Sequence, residues 1–99
     1  MAKHDVFAAP GGDLWLLDVQ TDLLDSLNLR IVVPLMPLPI APAPARRLNP
    51  TFEIDGVKVS MVTQYLASVQ EKTLGQPIAN LSQHHNKIAA ALDMVFQGF

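Results

Sequence analysis

The chain contains no cysteine, which excludes disulfides, thiol catalysis and cysteine-based zinc sites and fits a reducing compartment. Charge is scarce as well. Only 16% of the residues are charged, and the net charge of −2 comes without any basic stripe. Direct binding to a nucleic-acid backbone, which relies on clustered Lys and Arg, is therefore disfavoured. No stretch approaches the ~18 uninterrupted apolar residues of a membrane span. Met1-Ala2-Lys3-His4-Asp5 lacks the long apolar run of a signal peptide. The expectation is a cytoplasmic protein with no membrane partner.

Catalytic constellations are missing in turn. His84 and His85 are adjacent rather than four apart, so two imidazoles cannot share a helix face to hold a metal. One of them is expected to face the core side and the other water. Ser26, Ser60, Ser68 and Ser82 sit in no nucleophile elbow, and Gly11-Gly12 lacks the pattern of a phosphate cradle. Asp18, Asp22 and Asp25 cluster in sequence without a His, Gly or acidic ladder at ligand spacing, so turn and cap chemistry is the better reading. The expectation is a binder that uses no metal, no cofactor and no catalysis of its own.

What is present is grease. Hydrophobic residues make up 49% of a 99-residue chain, more than a single small domain over 1–99 can bury, so a subunit interface is expected. The last stretch, Leu81 to Phe99, carries Leu81, Ile88, Leu92, Val95 and Phe99 on one helical face, with His85 in the same row. That spacing predicts an amphipathic helix, capped by Ser82 or by Asn80 with Gln83 three residues on. Asn86, Lys87 and Asp93 fall on the wetter side. Phe99 can tuck into the core or be presented to a partner beside the flexible Gly98, and helix geometry alone does not choose.

Upstream the periods are those of strands. Residues 3–9 read as a first strand ending at the Pro10-Gly11-Gly12 turn. Leu14 to Val19 is apolar on both faces, as befits the middle of a sheet or a subunit contact, with Trp15 expected in the core. Thr21 to Leu29 is a polar loop in which Leu23 or Leu24 must be exposed, because adjacent loop residues cannot both face one core. Leu29 to Leu35 alternates, with Arg30, Val32 and Pro34 on one face and Pro34 marking an edge or bulge. Six of the eight prolines then fall between 34 and 50, predicting an extended crossover without a ladder of donors. Asp55-Gly56 predicts a two-residue hairpin turn pairing Ile54 with Val57, Glu53 with Lys58 and Phe52 with Val59. Strand is expected again from Met61 to Val69, and Gln70 to Leu74 is a candidate for a further one. Many short strands followed by one helix argue a mainly-β fold, a small barrel of short antiparallel strands carrying a C-terminal α-helix at about 82–97.

Leu17-Asp18-Val19-Gln20-Thr21-Asp22-Leu23-Leu24-Asp25, followed by Arg30-Ile31-Val32-Val33-Pro34-Leu35, resembles the corresponding segment of the CcdB toxins of toxin–antitoxin modules. Met61-Val62-Thr63-Gln64, Ala67-Ser68-Val69, Asn80-Leu81-Ser82 and the closing Ala90 to Phe99 agree in order and spacing, with the family's penultimate glycine at Gly98. The resemblance implies an SH3-like barrel, a homodimer and a poison that binds the DNA gyrase A subunit and traps its cleaved-DNA complex. It also implies neutralisation by a CcdA-like antitoxin. Carried over by position, it assigns Asp93, Gln97, Gly98 and Phe99 to the gyrase contact. Leu23 and Leu24, with Asp93, Gln97 and Phe99, fall to the surface shared with the antitoxin. An exposed Gly98-Phe99 is then the favoured alternative. Two departures stand out: Gln97 replaces the family's usual tryptophan, and the 34–50 segment is unusually rich in Pro and Ala. Two other readings are weighed. One is an endoribonuclease of the MazF and Kid type, needing a basic groove and an acid–base pair among Arg30, Arg46, His84 and an Asp. The other is a degenerate copy that dimerises and poisons nothing.

Overall fold

Asp55 and Gly56 both take left-handed backbone, with φ of 52° and 78°, the requirement of a two-residue hairpin turn whose twist matches its strands. They join β4 (Thr51–Ile54) to β5 (Val57–Met61) with Ile54 opposite Val57, Glu53 opposite Lys58 and Phe52 opposite Val59. The computed structural model of the chain describes residues 2–11, 14–24 and 26–98. Phe99, Asp25 and Gly12 lie outside the described residues.

The other strands are β1 (Asp5–Ala8), β2 (Trp15–Asp18), β3 (Leu29–Pro37), β6 (Ala67–Gln70) and β7 (Ala79–Asn80). Their order is β4-β5-β3-β2-β1-β7, all antiparallel, with β6 also on β3. The result is a nearly closed barrel with α1 (His85–Gln97) at its C-terminal end, the mainly-β class expected. β3 is the hub. One edge pairs with β2 over Val32–Leu35, while the other is shared, Leu29–Val32 with β6 and Leu35–Pro37 with β5. Pro34 sits between those two partners, where a missing N–H is least felt, and its carbonyl accepts the Val62 N–H at 3.0 Å. The strand therefore runs on to Pro37 instead of ending at Pro34.

Val6, Leu17, Val33, Leu35, Phe52 and Met61 line the main core, and Ile88 and Ala91 of α1 close it. A second cluster of Phe7, Leu16, Val32 and Leu74 forms on the opposite face of β1, β2 and β3. These strands are apolar on both sides because both sides are covered.

Several local expectations fail for identifiable reasons. Strand does not continue from Met61 to Val69, because a 3-10 turn at Thr63–Tyr65 interrupts it. There the buried Thr63 hydroxyl donates to the Leu48 carbonyl, giving the backbone an alternative to the ladder. Glu71–Thr73 is likewise a 3-10 turn, with the Thr73 hydroxyl donating to the Gln70 carbonyl at 2.7 Å. The crossover after β3 is not uniformly extended. Ile40 and Ala41 N–H groups donate back to the Pro37 carbonyl, and Asn49 N–H donates to the Ala45 carbonyl. Buried Asn49 anchors the far end, its Nδ2 donating to the Met61 carbonyl at 3.0 Å and to Gln64 Oε1 at 2.8 Å. Arg30, on the strand face that it shares with Val32 and Pro34, is completely buried.

Candidate functional site

The last turn of α1 is held by its buried first half and left open at its end. Leu81 and Ile88 seat the helix on the barrel. α1 begins after His84, which makes no side-chain cap hydrogen bond, so neither Ser82 nor Asn80 caps it; Asn80 Oδ1 instead accepts the Ser82 N–H at 2.8 Å in the approach to the helix. A 3-10 turn at Ser82–His84 leads into the helix. Gly98 ends it in left-handed conformation (φ 78°), with its N–H donating to the Met94 carbonyl at 3.0 Å. A Cβ built on Gly98 would meet nothing within 4 Å, so the glycine is required by its backbone and not by crowding.

Asp93, Gln97 and Gly98 are all exposed around this end. Phe96 is 71% exposed, and nothing in the residue pattern singled it out. Eight residues past Ile88, it lies about 80° round the helix at 100° per residue, on the margin of the buried stripe and not within it. An aromatic displaced one position from Val95 of the stripe is the signal that was available.

Leu23 and Leu24 both point outward from a 3-10 turn at Asp22–Leu24, Leu23 being 91% exposed. At least one of the pair was expected to be exposed, and both are. A buried polar node fixes this turn. Arg30 Nε donates to Asp18 Oδ2 at 2.8 Å, and Asp18 Oδ1 accepts the Gln20 N–H at 3.0 Å. Gln20 in turn donates through Nε2 to the Leu24 carbonyl and accepts the Ile31 N–H. Burial pushes the Asp18 carboxyl above its ordinary range, opposed by the Gln20 N–H and the Arg30 guanidinium. Asp18 is thus a core ion-pair partner as well as a turn acceptor. Arg30 is no groove cation, which removes it from a nuclease reading.

The turn and the helix share a neighbour. Asp22 Oδ1 accepts the Lys3 N–H at 2.9 Å. Lys3 and His4 in turn line a cavity of about 200 Å³ with His85, Ile88, Leu92 and Asp93 of α1. His85 is exposed, whereas His84 is half-buried, its ring 5.1 Å from that of Phe52. Among the described residues no group of three or more His, Asp or Glu is placed to hold a metal. No helix among them is long and apolar enough to cross a membrane. What the surface offers is exposed apolar area ringed by amide and carboxylate groups, the makings of a protein contact.

The family model for the CcdB protein matches residues 3–98, the barrel and the helix together. The chain belongs to the CcdB family. Membership supports a toxin of the CcdB type and implies, in general terms, an antitoxin partner and a gyrase target. The matched region includes both the exposed leucine turn and the open end of α1.

Proposed function

We propose that this CcdB-family protein is a cytoplasmic homodimer that binds the DNA gyrase A subunit through the ends of its C-terminal helices. In this reading it traps gyrase on cleaved DNA and is neutralised by a CcdA-like antitoxin. The observation that carries the reading is the open end of α1, where Asp93, Phe96, Gln97 and left-handed Gly98 stand clear of the barrel. A few such anchor residues dominate the energetics of a protein contact. Binding that favours the cleaved state of gyrase shifts its population without any bond being made by the toxin. Gln97 offers an amide where relatives usually carry an indole, and exposed Phe96 supplies aromatic surface next to it in the chain. Exposed Leu23 and Leu24 extend the surface toward the antitoxin, together with Asp93, Gln97 and Phe99.

The test is a cleavage assay with supercoiled plasmid, ATP, gyrase of the host and the purified protein. Linear DNA should accumulate with the native protein and not with Gly98→Arg, the variant keeping its thermal melt. No linear DNA from a well-folded dimer would overturn the gyrase reading.

A further inference from the structure

The cavity beside α1 is floored by an interaction between two imidazoles far apart in sequence. His85 Nδ1 and His4 Nε2 lie 3.1 Å apart, with the rings edge to face. The two sides are held unequally. His4 is buried and sits at φ 75°, a conformation seldom taken by a non-glycine residue. Its N–H donates to the Asp18 carbonyl at 2.7 Å, and its carbonyl accepts the Leu81 N–H at 2.9 Å. Its backbone is thereby tied to β2 and to the approach of the helix, and its side chain is enclosed by burial. His85, the first residue of α1, is exposed and free to swing into water.

An imidazole-to-imidazole bond holds one proton between two nitrogens. It survives when both rings are neutral and when one is charged. With both charged, two donors face each other at contact distance and the bond is lost. We propose that His4 and His85 form a proton-operated latch between the N-terminal segment and the start of α1. The latch is closed while the pair is at most singly charged and open when both rings take a proton. It holds whichever partner the helix end meets, so it stands apart from the gyrase reading.

The surrounding charges set the direction. Burial, then His85, then Lys3 lower the affinity of His4 for a proton, while Asp22 opposes them from the 3-10 turn. Asp93 of α1 lines the same cavity. Asp5, on β1, accepts from Asn80 Nδ2 at 2.8 Å and from the Ala2 N–H, and Asp18 is tied to Arg30 behind. His84, on the preceding turn, packs on Phe52. The folded chain resists a proton that an unfolded histidine takes near pH 6.5, so this contribution to stability is present above about pH 6.5 and declines below it.

Imidazole nitrogens of the whole protein would be followed by NMR from pH 8 to 4.5, together with amide exchange at Leu81 and Ile88 corrected for intrinsic rates. In the native chain the two imidazoles should titrate as a coupled pair. Protection at Leu81 should fall about tenfold, the ratio equivalent to one pKa unit of differential interaction, as the second proton binds. His85→Gln keeps a hydrogen-bonding group on an exposed position and removes the second charge, and should abolish that fall. His84→Gln should leave it intact. Independent single-step titrations in the native chain, or an equal loss of protection in His85→Gln, would overturn the latch.

Discussion

Replacing Arg30 with methionine should be among the most damaging single changes in this protein. Both members of the Asp18–Arg30 pair are completely buried, with the nearest nitrogen and oxygen 2.6 Å apart. Removing the guanidinium leaves a carboxyl that burial already disfavours as an anion. Breaking a buried pair in this way costs about 3–5 kcal/mol, against a total of about 5–15 kcal/mol for a domain of this size. With a urea m-value of about 2 kcal/mol/M, the midpoint should drop by about 2 M. Asp18→Leu with Arg30→Met removes both charges, and a well-packed apolar pair is often neutral or stabilising, so the double variant should recover most of the loss. Equilibrium urea unfolding of the four proteins completes the cycle. A loss under about 1 kcal/mol in Arg30→Met, or a double variant as unstable as the sum of the singles, would refute the claim that an orphaned charge is the penalty. The same node holds Gln20, so any destabilised variant should also loosen the Asp22–Leu24 turn.

The remaining expectations are simpler. Leu23→Asp should leave stability within about 0.5 kcal/mol, as an exposed position allows. The same change should weaken binding of the cognate antitoxin by about ten- to a hundredfold in calorimetric titration, about 1.4–2.8 kcal/mol. Asn49→Ala removes hydrogen bonds to the Met61 carbonyl, to Gln64 and from the Ala45 N–H and should cost about 1–3 kcal/mol, with faster proteolytic nicking between residues 42 and 47. Gly56→Val meets no atom but forces a β-branched residue into left-handed backbone, and should cost about 1–2 kcal/mol by thermal melting.

Legibility from sequence tracked local chemistry. The β4–β5 register could be read because Asp55-Gly56 specifies its own turn, and the helix because its stripe spans several turns. The two-residue strand Ala79–Asn80 was not readable, since two residues carry no period and their pairing with Asp5 and Val6 is a tertiary event. Residues 62–74 misled because threonine hydroxyls bonding to nearby carbonyls divert the chain from a ladder without altering its hydropathy. The burial of Arg30 was not readable, because its partner lies twelve residues away. At the candidate site the helix end was anticipated, but the exposure of Phe96 was not, because it depends on where the barrel stops.

Asp5 and Val6 close onto Asn80 and Ala79, so the first strand waits for a partner made 75 residues later. At about 5–20 residues per second, a ribosome needs about 4–15 s to deliver it. During that interval β1 can pair with β2 and still present a bare outer edge beside Val6 and Phe7, the kind of edge that recruits other chains. The chain is therefore most prone to aggregate before its last strand exists, and any partner able to cover that edge early would raise the yield of folded protein.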